Sequence, residues 1–287
     1  MLGQTIIRLS SRILLVALCC LAAREALAQE NEERKEVVRT GSANLQFTIR
    51  GKGDPIVFIP SLGRGVHDFD AVSKRLVQAG YRAILPDPRG IGGSTGPFDG
   101  ITLHDLAADV AAIIRATGGG PAIIVGHAFG NRVARMVATD HPTLVKQVVL
   151  LAVGGMVPMS PEIEEAFNRV FNSTLSKADR TAAIQRAFFA SVNNAAVWEQ
   201  GWYFSVVAAQ VAASRATPVS EWWGAGSAPV LVLQGAEDVI AVAENSRRLV
   251  ADYPRRVTIV EIPKAGHAML PEQPDRIVAV ILAYLNR

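Results

Sequence analysis

The sequence predicts an α/β fold, a mainly parallel sheet flanked by helices with a helical segment inserted late in the chain. Three observations lead there. Short continuous apolar runs recur, helix-patterned segments alternate with them, and one long stretch, residues 156–226, breaks the alternation without a strand-like run. Continuous apolar runs suit parallel strands buried on both faces. Strand–helix alternation gives a parallel sheet with right-handed crossovers.

Residues 1–28 read as a secretory signal peptide. Arg8 and Arg12 precede an apolar run over 13–23, and Ala26-Leu27-Ala28 offers a small-x-small cleavage pattern. The run is shorter than the roughly 17–25 residues of a spanning helix. Cleavage after Ala28 is therefore expected, with no stable membrane anchor left and a periplasmic or secreted location. Both cysteines, Cys19 and Cys20, fall in this leader. The remaining chain then has no disulfide, no thiol nucleophile and no thiolate metal site. Residues 29–36 are charged and unpatterned and predict a frayed tether. Residues 37–287 should form one domain.

Within it, strands are expected at 37–40 and 45–50, joined by a turn at 41–43, and then at 55–59 after a turn at 51–54. Further apolar runs predict strands at 82–85, 122–125, 147–152, 230–233 and 257–262. A helix over 102–116 places Leu103, Leu106, Ala107, Val110 and Ile114 on one face, with Thr102 and Asp105 as a capping-box start. Two more helices are expected at 129–140, ended by His141-Pro142, and at 273–286. The 156–226 stretch holds all four tryptophans with Phe167, Phe171, Phe188, Phe189, Tyr203 and Phe204. It reads either as an extra helical layer with its own core or as a cap whose aromatic underside lines an apolar pocket.

Composition narrows the function. Hydrophobic residues make up 49% and charged residues 19%, a globular balance. The net charge of +3 partly reflects the leader arginines, so no basic face for nucleic acid is indicated. A small-molecule substrate or ligand is the expected partner. No metal spacing is visible and no cofactor is implied. Gly90-Ile91-Gly92 starts like a dinucleotide fingerprint, but Thr95 stands where its third glycine belongs.

The chemistry concentrates at Gly126-His127-Ala128-Phe129-Gly130, between an apolar run and a helix. This is the strand–elbow–helix context of G-x-S-x-G, with alanine in place of the nucleophilic serine. Other motifs follow in order: Pro60-Ser61-Leu62-Gly63 after a strand, the loop from Pro86 to Ser94 (Pro-Asp-Pro-Arg-Gly-Ile-Gly-Gly-Ser), Gly235-Ala236-Glu237-Asp238 after a strand, and Gly266-His267 before the last helix. Together they resemble the α/β-hydrolase fold family over roughly residues 38–287. The order of position 128, Asp238 and His267 is the family's nucleophile–acid–base order, and residues 156–226 correspond to its inserted helical cap.

The resemblance implies that His267 is the general base and that Asp238 orients it, with Glu237 as the fallback acid. The backbone N–H groups of Leu62 and Phe129 would form the oxyanion hole. His127 is expected to be structural, and His67, His104 and His141 to be solvent or capping residues. Two departures matter: Ala128 at the nucleophile position, and Pro60-Ser61 where the family has His-Gly. Without a hydroxyl at 128 no acyl-enzyme can form there. The readings then open are four. Water activated by His267 attacks a small, apolar ester, amide or related carbonyl compound, or the base serves a non-hydrolytic reaction. The pocket binds a ligand without chemistry. Ser61 substitutes as nucleophile. Or the alanine was introduced to trap a complex. The first is favoured, because a pure receptor needs neither Asp238 nor His267.

Overall fold

The computed structural model describes residues 33–287. The expected signal peptide lies outside the described residues. Eight strands form one sheet: β1 (Glu33–Arg39), β2 (Asn44–Arg50), β3 (Pro55–Ile59), β4 (Arg82–Pro86), β5 (Ala122–His127), β6 (Val145–Leu151), β7 (Val230–Gly235) and β8 (Val257–Ile262). Their spatial order is β1-β2-β4-β3-β5-β6-β7-β8. β1 pairs antiparallel with β2 and β2 with β4, and every later pairing is parallel. The expected α/β-hydrolase architecture is therefore present.

The continuous apolar runs fill two cores at once, because alternate side chains point to opposite faces. Ile56, Phe58, Ile123, Val125, Val149, Leu151, Leu231 and Leu233 pack on one side of the sheet. There they meet α1 (Asp70–Gln78) and the final helix, Pro274–Leu285. Val57, Ile59, Ile124, Val148, Leu150, Val230 and Val232 face the other side, toward α2 (Leu103–Ala116) and α3 (Phe129–Asp140). Thr102 caps α2: its hydroxyl accepts the Asp105 N–H, and the Asp105 carboxylate accepts the Thr102 N–H at 2.8 Å.

Between β6 and β7 the chain forms α4 (Pro161–Val170), α5 (Lys177–Phe188), a 3₁₀ turn (Ala195–Trp198), α6 (Phe204–Ala216) and α7 (Val219–Trp222). The tail adds α8 (Ala243–Asp252), α9 (Met269–Glu272) and α10 (Pro274–Leu285). No described helix is long and apolar enough to cross a membrane. The two readings of the aromatic stretch divide among its residues. Trp222 and Trp223 join the core beside α3, whereas Phe188 and Trp198 pack with Phe167, Phe171 and Trp202 in a separate cluster.

The expected tether at 29–36 is corrected at its end, since β1 already begins at Glu33. Glu33 stands opposite Arg50 and accepts a hydrogen bond from its Nε at 2.7 Å. β1 is an edge strand with most side chains in water, so charged residues can occupy it without leaving an apolar pattern.

The 86–94 loop is held by Arg89, which grips Asp109 of α2 through two guanidinium nitrogens, one at 2.9 Å. Both residues are buried. Ser94 closes the loop, its hydroxyl donating to the Asp87 carbonyl at 2.7 Å and accepting the Gln46 N–H at 2.9 Å. Removing one partner of such a buried pair leaves an uncompensated charge and costs about 3–5 kcal/mol. Asp109→Ala is therefore expected to lower the unfolding free energy by about that amount in a urea titration. An effect under about 0.5 kcal/mol, the range of an ordinary surface change, would show that the pair does not hold the loop.

Candidate active site

The site is organised by a single residue between strand and helix. β5 ends at His127, α3 starts at Phe129, and Ala128 alone connects them with φ 51° and ψ −109°. A non-glycine residue there is strained. The turn is so tight that a Cβ on Gly126 would collide with the Gly130 carbonyl, and one on Gly130 with the Ile59 carbonyl. Ala128 is anchored by its N–H, which donates to the Leu151 carbonyl at 2.9 Å. Its methyl group faces a cavity of about 450 Å³.

Two residues with unpaired backbone N–H groups line the same cavity. Phe129 is the first residue of α3, so its N–H has no carbonyl a turn earlier to bond to. Leu62, in the loop after β3, also lines the cavity, and its N–H bonds to no described residue. The Leu62 loop is positioned by the insertion: Gly63 N–H donates to Gln210 Oε1 at 2.8 Å, and Tyr203 N–H to the Gly63 carbonyl at 2.8 Å.

His267 lies in the loop between β8 and α9, and Asp238 in the loop after β7. The His267 Nδ1 sits 3.0 and 3.1 Å from the two Asp238 oxygens. Asp238 is fixed in turn by the N–H groups of Ile240 and Ala241, which donate to its Oδ1 at 3.0 and 2.8 Å. With Nδ1–H given to the carboxylate, the Nε2 lone pair of His267 has no described partner, and His267 lines the cavity. Glu237 turns away and accepts the Ser191 N–H at 3.3 Å. Ser61 lines the cavity, yet no hydrogen bond joins it to His267 among the described residues.

His127 is wholly buried, and its Nε2–H donates to the His267 carbonyl at 2.7 Å. Burial first, and the neighbouring His267 second, push its pKa down to about 3. It is therefore a neutral strut under the His267 loop. His67 and His104 are exposed and lie beside Asp70 and beside Asp140 and Glu221, while His141 follows α3.

Sequence reasoning missed Gln210 and Glu272. Glu272 accepts the N–H groups of Gly266 and Ala190 and the Asn193 amide, each at 2.7 Å. It ties the histidine loop to the end of α5, where the Phe188 carbonyl also accepts the Ala268 N–H at 2.8 Å. No local pattern marks either residue, since Gln210 and all Glu272 partners but Gly266 pair across long stretches of sequence.

A family model described as the alpha/beta hydrolase family matches residues 56–280. BpoC of Mycobacterium tuberculosis, named after the non-heme bromoperoxidases, is 29% identical over 258 residues, covering 84% of this chain and 97% of that protein. Its crystal structure superposes with a TM-score of 0.72 at 25% identity, over 88% of this chain and 97% of that one. RutD of Variovorax paradoxus, named for carbamate hydrolysis, is 28% identical over 247 residues, covering 78% of this chain and 89% of that protein. A thermophilic esterase from Thermogutta terrifontis shares the fold, with a TM-score of 0.71 at 24% identity over 88% of this chain and 98% of that one. A cavity over a strand–elbow–helix turn, with a carboxylate-bound histidine facing it, defines a hydrolase-class site. The chain belongs to the alpha/beta hydrolase family.

The Glu272 latch can be tested by stability. Glu272→Gln replaces one acceptor oxygen with an NH₂ that must face a backbone N–H. It is expected to cost about 1–3 kcal/mol, the penalty of an unpaired buried donor. Denaturant unfolding measures this, and a variant as stable as the parent would remove the latch from the account.

Proposed function

We propose that this protein is an exported enzyme that hydrolyses a small ester, amide or related carbonyl compound, with water as the nucleophile. The observation that carries the reading is His267: bound to Asp238 through Nδ1, with Nε2 open to a cavity whose elbow bears a methyl instead of a hydroxyl. The space freed at position 128 suits a water beside Nε2. His267 takes a proton from that water, and the hydroxide adds to the carbonyl carbon. The resulting oxyanion is met by the N–H groups of Phe129 and Leu62. Collapse expels the alcohol or amine, which takes the proton back from His267.

A general base contributes typically about 10²–10⁴-fold, and one oxyanion donor about 10²–10³-fold. Both are supplied by groups that survive the loss of serine. The apolar character of the substrate is argued from the aromatic wall contributed by Phe167, Phe171 and Phe188. The names of the relatives, which include hydrolases, agree with the reaction class. A second reading rests on Ala128 itself: without a hydroxyl the cavity could serve binding alone.

Turnover of a short-chain nitrophenyl ester by the chain starting after residue 28 separates these readings. The parent protein is expected to hydrolyse it slowly, and His267→Ala to reduce the rate by about 10²–10⁴-fold. Ser61→Ala should leave a water-based reaction running, whereas its loss with Ser61→Ala would transfer the nucleophile to that residue. Turnover only in Ala128→Ser would favour binding or a base-only reaction on another substrate. Activity in no variant would overturn the hydrolytic reading. Fractionation of the producing cell, with N-terminal sequencing of the product, tests export and cleavage after Ala28.

A further inference from the structure

The cavity wall carries positive charge without a counter-charge. Arg132 lines it, and its guanidinium makes no hydrogen bond or ion pair with any described residue; the guanidinium carbon lies 5.6 Å from the centre of the Trp222 ring. Arg215, at the end of α6, lines the same cavity and is also unpaired among the described residues. No Asp or Glu is among the lining residues. Three buried arginines elsewhere, Arg50, Arg64 and Arg89, are held by carboxylates.

Ser214 adds a second kind of observation. It lines the same cavity, and its hydroxyl oxygen is buried with no described hydrogen-bond partner. Buried polar atoms in folded proteins are nearly always paired, so this hydroxyl is left to turn toward a ligand group in the cavity that Ser214 lines. Behind Arg132, the wholly buried Arg135 donates from Nε and Nη2 to Asn131 and the Gly154 carbonyl, leaves Nη1 without a described partner, and meets no carboxylate. Burial and this neighbouring cation hold the Arg135 pKa well below its ordinary value, and burial lowers that of Arg132.

Position 132 fixes where the charge acts. It lies in the first turn of α3, four residues beyond Ala128, and both residues line the cavity. Long helical side chains lean back over the preceding turn, which here is the elbow. A planar guanidinium with free N–H groups matches a carboxylate bidentately.

We propose that Arg132, with Ser214 and Arg215 of the same cavity, is a subsite for a carboxylate carried by the substrate, a few bonds from the carbonyl under attack. The substrate class is then a half-ester or half-amide of a short dicarboxylic acid, with an apolar remainder against the aromatic wall. This rests on the hydrolytic reading for its reacting bond, but the subsite itself requires only binding.

The test uses probes that cannot be hydrolysed. 4-Oxohexanoate and its neutral counterpart 3-hexanone share a ketone in place of the ester and differ by the carboxylate arm. Calorimetric titration of the protein is expected to show 4-oxohexanoate binding about 10- to 100-fold tighter, as charge-assisted hydrogen bonds allow. Arg132→Gln should bring that ratio close to one. Arg132→Lys should retain part of it, and Ser214→Ala should reduce it by a few-fold. Equal binding of both probes by the parent protein overturns the subsite, as does a full preference in Arg132→Gln. If Arg132→Gln does not fold, an undiminished ratio in both Arg132→Lys and Ser214→Ala overturns it. Ester turnover is a separate readout: hydrolysis absent with the preference intact overturns the reaction and leaves the subsite standing.

Discussion

The close approach of two glycines to backbone carbonyls at the elbow is the constraint on which the site depends. Gly126 and Gly130 have no room for a side chain, so β5 can turn into α3 over a single residue. Ala128 is forced to φ 51°, a strain of about 1–3 kcal/mol that the surrounding sheet must hold. Everything else at the site follows from that turn. It leaves the Phe129 N–H without an intrahelical acceptor, places Ala128 in the cavity wall, and puts Arg132 of the first helical turn in the same wall. The turn is kept although alanine cannot attack a carbonyl.

The insertion is fastened to the body at the two loops that carry the chemistry. Gln210 and Tyr203 hold Gly63 beside the Leu62 donor. Glu272, Asn193 and the Phe188 carbonyl hold the loop that carries His267. Arg64 adds a third tie: it pairs with Asp68, donates to the Gln200 carbonyl at 2.7 Å, and lies 4.4 and 4.7 Å from the rings of Trp198 and Trp202. The Leu62 loop and the His267 loop are therefore registered to each other through the insertion as well as through the sheet. A rearrangement of α5 would move Gly266 and Ala268, and with them His267.

The central strands were legible because burial on both faces writes itself as an uninterrupted apolar run, as in β3, β5 and β7. The α2 start was legible because capping is local: Thr102 and Asp105 are three residues apart and bond to each other. β1 was read short because an edge strand needs no apolar side chain at Glu33 or Arg34. α1 and α8 went unread because they bury little, chiefly Val72, Leu76 and Leu249. The Asp238–His267 pairing was legible through motif order, not through chemistry that sequence spacing enforces. Gln210, Glu272 and Arg132 were not. The first two act mainly through contacts far away in the chain, with Gly266 the one near partner of Glu272, and an arginine on a helix carries no mark of whether an acid neutralises it.

The missing hydroxyl limits what the site can do by magnitude. In one serine protease, loss of the nucleophile costs roughly 2 × 10⁶ in turnover, while an oxyanion hole and binding alone retain about 10³–10⁴ over water. A base with an ordered water recovers part of the difference, but not the separation of one hard step into two easier ones that a covalent intermediate provides. Binding a remote carboxylate at Arg132 does not by itself close the gap, because an interaction equal in ground and transition states lowers KM without raising kcat. It contributes to the rate only by holding the carbonyl at attacking distance, a gain of orientation. On the proposed reading, the substrate is a carbonyl that is already reactive, held at its far end by charge and at its near end by two backbone N–H groups.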